Sequence, residues 1–349
     1  MHSRYTEAMD GDATIIRPVS GADLDAVLDL TRRGGTGLTN LPPDRDAIER
    51  RIAAAEQALS DQQARADGAA IMLVAEIVGR IVATGMIFAR VGAEWPFYSY
   101  RITRQASLSR AVGRSKSQRL LNLVNDFDGE TEVGGLFVDP AMRGQALGQL
   151  MARSRYMFIA AHRGWFGERV IAELRGYQDE SGGSPVWEAI GRHFYDMEFD
   201  EADRTGAIHG NQFIADLGPR YPIYISMLPP QAQAALGRPH NDGRPAHAML
   251  IAEGFRDDGY VDIFDGGPTL VAPIDAVRTV AQSREAAFLG QAEGGLRALV
   301  ATGFGSEFRL ARGMASVRDD GATLDPRTAR LLSAADGDTL RIALLETAS

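Results

Sequence analysis

LFVDPAMRGQALGQLM, residues 136–151, starts apolar, breaks at Asp139 and Pro140, and turns helical only after a basic corner of small residues. Ahead of it, Gly134 and Gly135 complete GGLFV, which reads as a strand. After it, Leu147, Leu150, Met151, Phe158 and Ala161 recur close to the i, i+3, i+4, i+7 spacing of an amphipathic helix. Backbone N–H groups at a helix N-terminus can cradle a phosphate only where no side chain blocks the approach, and RGQALG (143–148) keeps that approach bare. A tightly packed helix start is the bland alternative. An ATP loop fits less well, because neither this corner nor GGTGLT (34–39) ends in Gly-Lys-Ser/Thr.

Outward from the corner, strands and helices alternate. TIIRPV (Thr14 to Val19) reads as a strand. Ser20 and Asp23 then form a capping box for a helix with Leu24, Val27 and Leu28 inward. The loop RGGTGLTNLPPD precedes a second helix whose inward face is Ile48, Ile52, Ala55 and Leu59. IMLVAEIV and IVATGMIFA form an antiparallel hairpin turning at Gly79-Arg80, and Pro96 to Ile102 is a further strand. Past the corner helix come the strand RVIAELRG and a helix in SPVWEAIGRHFYDMEF, with Ser184 as cap and Pro185 at the first helical position.

Composition narrows the chemistry. The chain has 349 residues, 45% hydrophobic and 24% charged, enough for a large core and, at roughly 100–200 residues per domain, two or three units. A net charge of -9 leaves no basic surplus for nucleic acid. The absence of cysteine excludes thiolate metal ligands and a covalent cysteine intermediate, and suits a reducing cytoplasm. The first dozen residues lack a signal-peptide core and no run of about 18 apolar residues occurs, so no membrane role is expected.

This element order resembles the GNAT acyltransferases, which move an acyl group from coenzyme A to an amine. Their pattern of Arg or Gln, two residues, Gly, one residue, then Gly or Ala is matched by Arg143, Ala146 and Gly148, with Ala146 departing from the usual first glycine. A closer likeness runs from about Ile15 to about Arg278. The strings GGTGLTNLP, AELRG, SPVWEAIGRHFYDMEF, FIADLGPRYPIYISMLP, AQAALGRPHNDGRPAHAMLIAEGF and YVDIFDGGPT are similar to those of arginine N-succinyltransferases. That resemblance implies succinyl transfer from succinyl-CoA, as co-substrate and without a metal, to the α-amino group of L-arginine. It also implies that Leu136 contacts succinyl-CoA and that the pantetheine arm pairs with the main chain of Leu136, Phe137 and Val138, while Arg143, Gly144, Ala146 and Gly148 face the pyrophosphate.

Attack on the thioester produces an oxyanion, which a backbone N–H from GLFV would stabilise, and expels a thiolate that needs a proton donor. Six histidines are available. His2 lies in the N-terminal tail, His162 ends a helix where the dipole favours a cation, and His193 and His247 fall in helical patterns. His209 sits in an ordinary polar loop. His240, in the Pro- and Gly-rich loop GRPHNDGRP, matches the position that the resemblance assigns as proton donor. The tyrosine that GNAT enzymes often use is replaced by Trp187 in one helix and Leu250 in a similar one. The guanidinium calls for a carboxylate, with Glu173, Asp179, Glu180, Asp262 and Asp265 as candidates, and Thr36 and Asn40 are positioned to touch arginine.

The expected architecture is α/β: a GNAT-like mixed sheet flanked by helices over 1–200, a second, degenerate GNAT-like half over 201–278, and a small β-rich domain over 279–349. Its short strands must close on themselves or on a partner, which leaves room for a homo-oligomer. Residues alone do not separate succinyl from acetyl donors, or arginine from ornithine or a peptide amine. A non-catalytic sensor of acyl-CoA or amino acid is the alternative of a different class.

Overall fold

The computed structural model describes residues 14–33, 43–144, 146–180, 182–199, 201–202, 205 and 212–345. Two compact units interleave along the chain. One runs from the first strand to Ala89 and adds Thr131–Glu168 and the chain from Ile274 onward; the other combines Arg90–Glu130 with Arg169–Pro273. The sequential boundaries expected after residues 200 and 278 divide the chain in a different way.

The first unit opens with β1 (Thr14–Pro18) and α1 (Leu24–Arg33). Between them the Ser20 N–H donates to the Asp23 carboxylate at 2.8 Å, the return bond of a capping box, and the Asp23 N–H donates to the Ser20 carbonyl at 2.9 Å, closing a short 3₁₀ turn. Helix α2 (Arg45–Ser60) buries Ile48, Ile52, Ala55 and Leu59, the face its spacing predicts. Strands β2 (Ala70–Ile77) and β3 (Arg80–Phe88) pair antiparallel, as expected, but their turn is Val78-Gly79 rather than Gly79-Arg80. Both turn residues take positive φ, 50° and 76°, the geometry that matches hairpin twist, and Arg80 already belongs to β3. β1 pairs with β2, and β3 pairs with β6 (Thr131–Val138), which feeds α3 (Leu147–Ala161). This is the strand, two helices, antiparallel strands, helix order that the sequence predicts.

The C-terminal strands β11 (Arg284–Gln291), β12 (Leu296–Thr302), β13 (Arg309–Arg318), β14 (Gly321–Leu324) and β15 (Thr339–Leu344) form a closed ring in the order β12-β15-β11-β14-β13-β12. Phe288, Val300, Leu324, Leu340 and Ile342 fill it. Closure removes the edges that would otherwise seek a partner. β13 also pairs with β1, which makes this β-rich region continuous with the first unit's sheet.

His162, at the end of α3, is not the helix-end cation that the dipole suggests. It is 2% exposed, and Phe158 stacks on its ring at 4.0 Å while Phe304 lies tilted 4.2 Å away. Its Nε2 accepts the Gly305 N–H at 2.8 Å, which leaves Nδ1 to donate to the Phe158 carbonyl at 2.9 Å. Burial lowers its pKa from 6.5 to about 4, against the opposing pull of that carbonyl, so the ring is neutral. Between those two pH values an unfolded chain binds a proton that the folded one does not. Stability is therefore full above pH ~6.5 and falls by about 3 kcal/mol as acid is added down to pH ~4. Chemical denaturation at stepped pH should show this loss, and His162→Gln should flatten it.

In the second unit, β7 (Arg169–Glu173), β10 (Pro268–Pro273), β9 (Arg256–Val261), β4 (Ser99–Ser109), β5 (Arg114–Val124) and β8 (Ile223–Tyr224) follow one another antiparallel. The single strand expected at 96–102 is thus the start of a long ribbon. β4 and β5 pair in register from Ser99↔Val124 to Ser109↔Arg114. No apolar alternation marks the outer rows, because both faces are exposed and polar. The helix over 185–195 (α4) is capped as expected, the Ser184 hydroxyl accepting the Trp187 N–H at 3.2 Å. Its middle widens into a π turn over Trp187–Gly191, and a Cβ on Gly191 would collide with the Trp187 ring. Helices α5 (Pro230–Ala235) and α6 (Arg244–Ala252) flank the loop that carries His240.

Candidate active site

The corner is held from below. Asp139, 1% exposed, accepts hydrogen bonds from Arg33 Nη1 at 2.7 Å, Arg80 Nη2 at 2.8 Å and the Ala141 N–H at 3.0 Å. Arg33 also pairs with Asp29 at 3.1 Å, so the two guanidinium groups are matched by two carboxylates, and exposed Arg143 is the positive charge beside the turn. Gly144 takes φ 85°, and a Cβ built on it meets nothing within 4 Å, so its approach is open. Ala146 adopts φ 56° and ψ 10°, the left-handed conformation a glycine would take there more easily. That is the physical content of its departure from the family pattern. Ala146 gives α3 no side-chain cap, and α3 has no acidic residue in its first turn, so the helix start favours an anion. A Cβ on Gly148 would only touch Val138, at 3.9 Å.

Leu136 sits beside a bulge. Ala83 faces Val138 and Thr84 faces Phe137, but Met86 faces Gly134, so Gly85 alone opposes both Gly135 and Leu136. The bulge needs its glycines. Gly135 takes φ 55°, and a Cβ there would fall 2.8 Å from Met86 Cγ; a Cβ on Gly85 would fall 3.1 Å from Arg155 Cδ. Arg155, 4% exposed on α3, donates to the Gly134 carbonyl at 3.1 Å just before the bulge. Burial raises the pKa of the neighbouring Glu132, and the charge of Arg155 opposes that rise. Phe137 is buried, while Leu136 and Val138 are half-buried. A bulge turns one residue's main chain out of the ladder, which is what a strand must do to present an N–H to a ligand.

His240 belongs to the second unit. Its N–H donates to the Arg175 carbonyl at 2.8 Å, its carbonyl accepts from Gly243 at 2.9 Å, and the adjacent Tyr177 N–H donates to the Arg238 carbonyl at 3.0 Å. Gly237, with φ 73°, ends α5 and donates to the Gly266 carbonyl at 2.8 Å. The ring itself is oriented: its Nδ1 accepts the Asp242 N–H at 3.2 Å, with the Asp242 carboxylate 3.6 Å away. A main-chain N–H can only donate, so in the neutral ring the proton sits on Nε2. The side chain remains 24% exposed.

The candidate acids separate by use. Asp262 accepts the N–H groups of Phe264 at 2.7 Å and Asp265 at 2.8 Å, and burial together with the charge of Asp265 pushes its pKa up. Asp265 accepts from Gly176 at 2.7 Å and from Gly267 at 2.8 Å. Both build the turn against which the His240 loop rests. Asp179 closes a turn by accepting from Gly183 at 2.9 Å, Glu180 is exposed, and Glu173 accepts from the Thr269 hydroxyl at 3.2 Å. Trp187 donates its Nε1–H to the Met197 carbonyl at 3.0 Å, and Leu250 is 6% exposed. Thr36, Asn40 and His209 lie outside the described residues.

Sequence reasoning missed Asp139 with its two arginines, and Arg155. The signal for Arg155 was present: it stands four residues after Met151 and three before Phe158, on the apolar stripe of α3, where a charge needs a reason.

The relatives of this chain define its class, an N-acyltransferase. A family model described as "Arginine N-succinyltransferase beta subunit" matches residues 14–279, and one for that subunit's C-terminal domain matches 283–343. The chain belongs to the arginine N-succinyltransferase family. It is 40% identical over 270 residues to arginine N-succinyltransferase subunit beta of Pseudomonas aeruginosa, covering 77% of this chain and 79% of that protein. With arginine N-succinyltransferase of Yersinia pestis it shares 36% identity over 343 residues, covering 95% and 97%. The solved structure of arginine/ornithine succinyltransferase subunit AI from Pseudomonas aeruginosa matches 97% of this chain and 100% of its own, at 30% identity and a TM-score of 0.83.

Proposed function

We propose that this chain transfers the succinyl group of succinyl-CoA to the α-amino nitrogen of L-arginine, in the cytoplasm. The neutral amine attacks the thioester carbonyl, and the oxyanion is received by the main-chain N–H at Leu136. As the carbon–sulfur bond breaks, the Nε2–H of His240 passes to the thiolate, and the proton shed by the acylated nitrogen restores the imidazole. Arg143, Gly144, Ala146 and Gly148 receive the pyrophosphate at the start of α3. The observation that carries this reading is the Asp242 N–H on His240 Nδ1, which fixes the tautomer a proton donor needs. A homo-oligomer belongs to the same reading. It is supported by the β4–β5 ribbon, whose outer rows have no flanking strand among the described residues and set Arg104 against Arg119.

The test is free-thiol release, with succinyl-CoA and acetyl-CoA each crossed against arginine, ornithine and lysine. Succinyl-CoA with arginine should give the highest kcat/KM, and arginine should exceed lysine because a planar fork is recognised by paired acceptors. Equal constants for arginine and lysine would remove the arginine assignment, and thiol release from no pair would favour the sensor. On the donor side, Gly144→Val forces a β-branched residue to φ 85° and adds bulk at the open approach. Calorimetry should show succinyl-CoA bound roughly tenfold more weakly, about 1–2 kcal/mol.

A further inference from the structure

The succinyl group differs from a plain acyl chain by its free carboxylate, and Arg51 is placed to answer it. Arg51 lies on α2 with its neighbours Ile48, Ile52 and Ala55 packed into the core, and it is itself half-buried. Its guanidinium has no carboxylate partner among the described residues; its Nη1 instead points at the Met86 sulfur, 3.6 Å away. Burial lowers its pKa, and no acid among the described residues offsets that. A thioether is a weak acceptor, so this half-buried guanidinium keeps donors to spare for a carboxylate. Met86 is also the side chain beneath Gly135 in the bulge. This cation therefore borders, through one shared residue, the stretch of β6 that receives the thioester in the proposed function.

We infer that Arg51 is the specificity-determining residue that binds the distal carboxylate of the succinyl group and so selects a dicarboxylic acyl donor over a neutral one. The inference rests on the proposed acyl site. Its chemistry is that of a charge-assisted hydrogen bond to a carboxylate in a partly dry environment, where a lost partner costs about 1.5–3 kcal/mol, or roughly ten- to 150-fold.

The test uses the full chain and two donors of matched length, succinyl-CoA and butyryl-CoA, in which a methyl group replaces the carboxylate. Calorimetry on the wild type should show tighter binding of succinyl-CoA. Arg51→Met should weaken succinyl-CoA binding by at least tenfold and leave butyryl-CoA and free coenzyme A within about twofold, while Arg51→Lys should recover part of the loss. Equal weakening of both donors would mark Arg51 as structural and overturn the inference, as would wild type that does not distinguish them or Arg51→Met that binds succinyl-CoA normally. Binding is measured without turnover, so the two readings fail separately. A chain that binds succinyl-CoA through Arg51 but releases no thiol would refute the transfer reaction and keep the subsite.

Discussion

His240→Ala should lower kcat with arginine and succinyl-CoA by roughly 10²- to 10⁴-fold while succinyl-CoA binding stays nearly unchanged, the usual consequence of losing one general acid or base. The chain has no cysteine for an acyl-enzyme, and Trp187 and Leu250, at the places of the usual tyrosine, are buried in the core. His162 is locked neutral between Phe158 and Phe304 by two hydrogen bonds. If His240 protonates the leaving thiolate, the deficit should shrink for thioesters whose thiol is more acidic, because such a thiolate departs with less help. A deficit independent of thiol acidity would make His240 a positioning residue, and near-normal turnover would leave it no part in the reaction.

Arg155→Met should carry the second largest loss, through the bulge. Without the 3.1 Å hydrogen bond to the Gly134 carbonyl, the chain entering Gly135 and Leu136 loses its brace. A misplaced oxyanion donor costs about 10²-fold or more in turnover. The single variant would also remove the positive charge that opposes the burial-raised pKa of half-buried Glu132, so the measurement belongs in a Glu132→Gln background. There kcat should fall while KM for succinyl-CoA moves little. A fall confined to KM, or none beyond that of Glu132→Gln, would mean that Arg155 serves packing only.

What could be read in advance followed from how strongly burial patterns a segment. The inward faces of α1 and α2, the strand-corner-helix at 136–151 and the Ser184 cap were legible because one side of each element is apolar and the other wet, or because a capping residue stands at a fixed offset. The β4–β5 ribbon was not legible, since a hairpin exposed on both faces has no reason to alternate. The bulge at Gly135 and Leu136 is a property of two strands in register, and β6 alone does not disclose that Gly85 faces two residues. Arg51 and Arg155 occupy helical positions whose partners, the Met86 sulfur and the Gly134 carbonyl, lie far away in sequence. His240 stood out by its loop, and its role came from resemblance. The orientation of its ring became visible only with the Asp242 N–H in place.

The central claim is succinyl transfer to one particular nitrogen. Mass spectrometry with NMR of the product formed from arginine and succinyl-CoA tests it most directly. The prediction is a single succinyl group on the α-nitrogen of arginine, formed one for one with free coenzyme A thiol. Thiol release without acylated arginine, or a succinyl group on the guanidinium, would contradict the account.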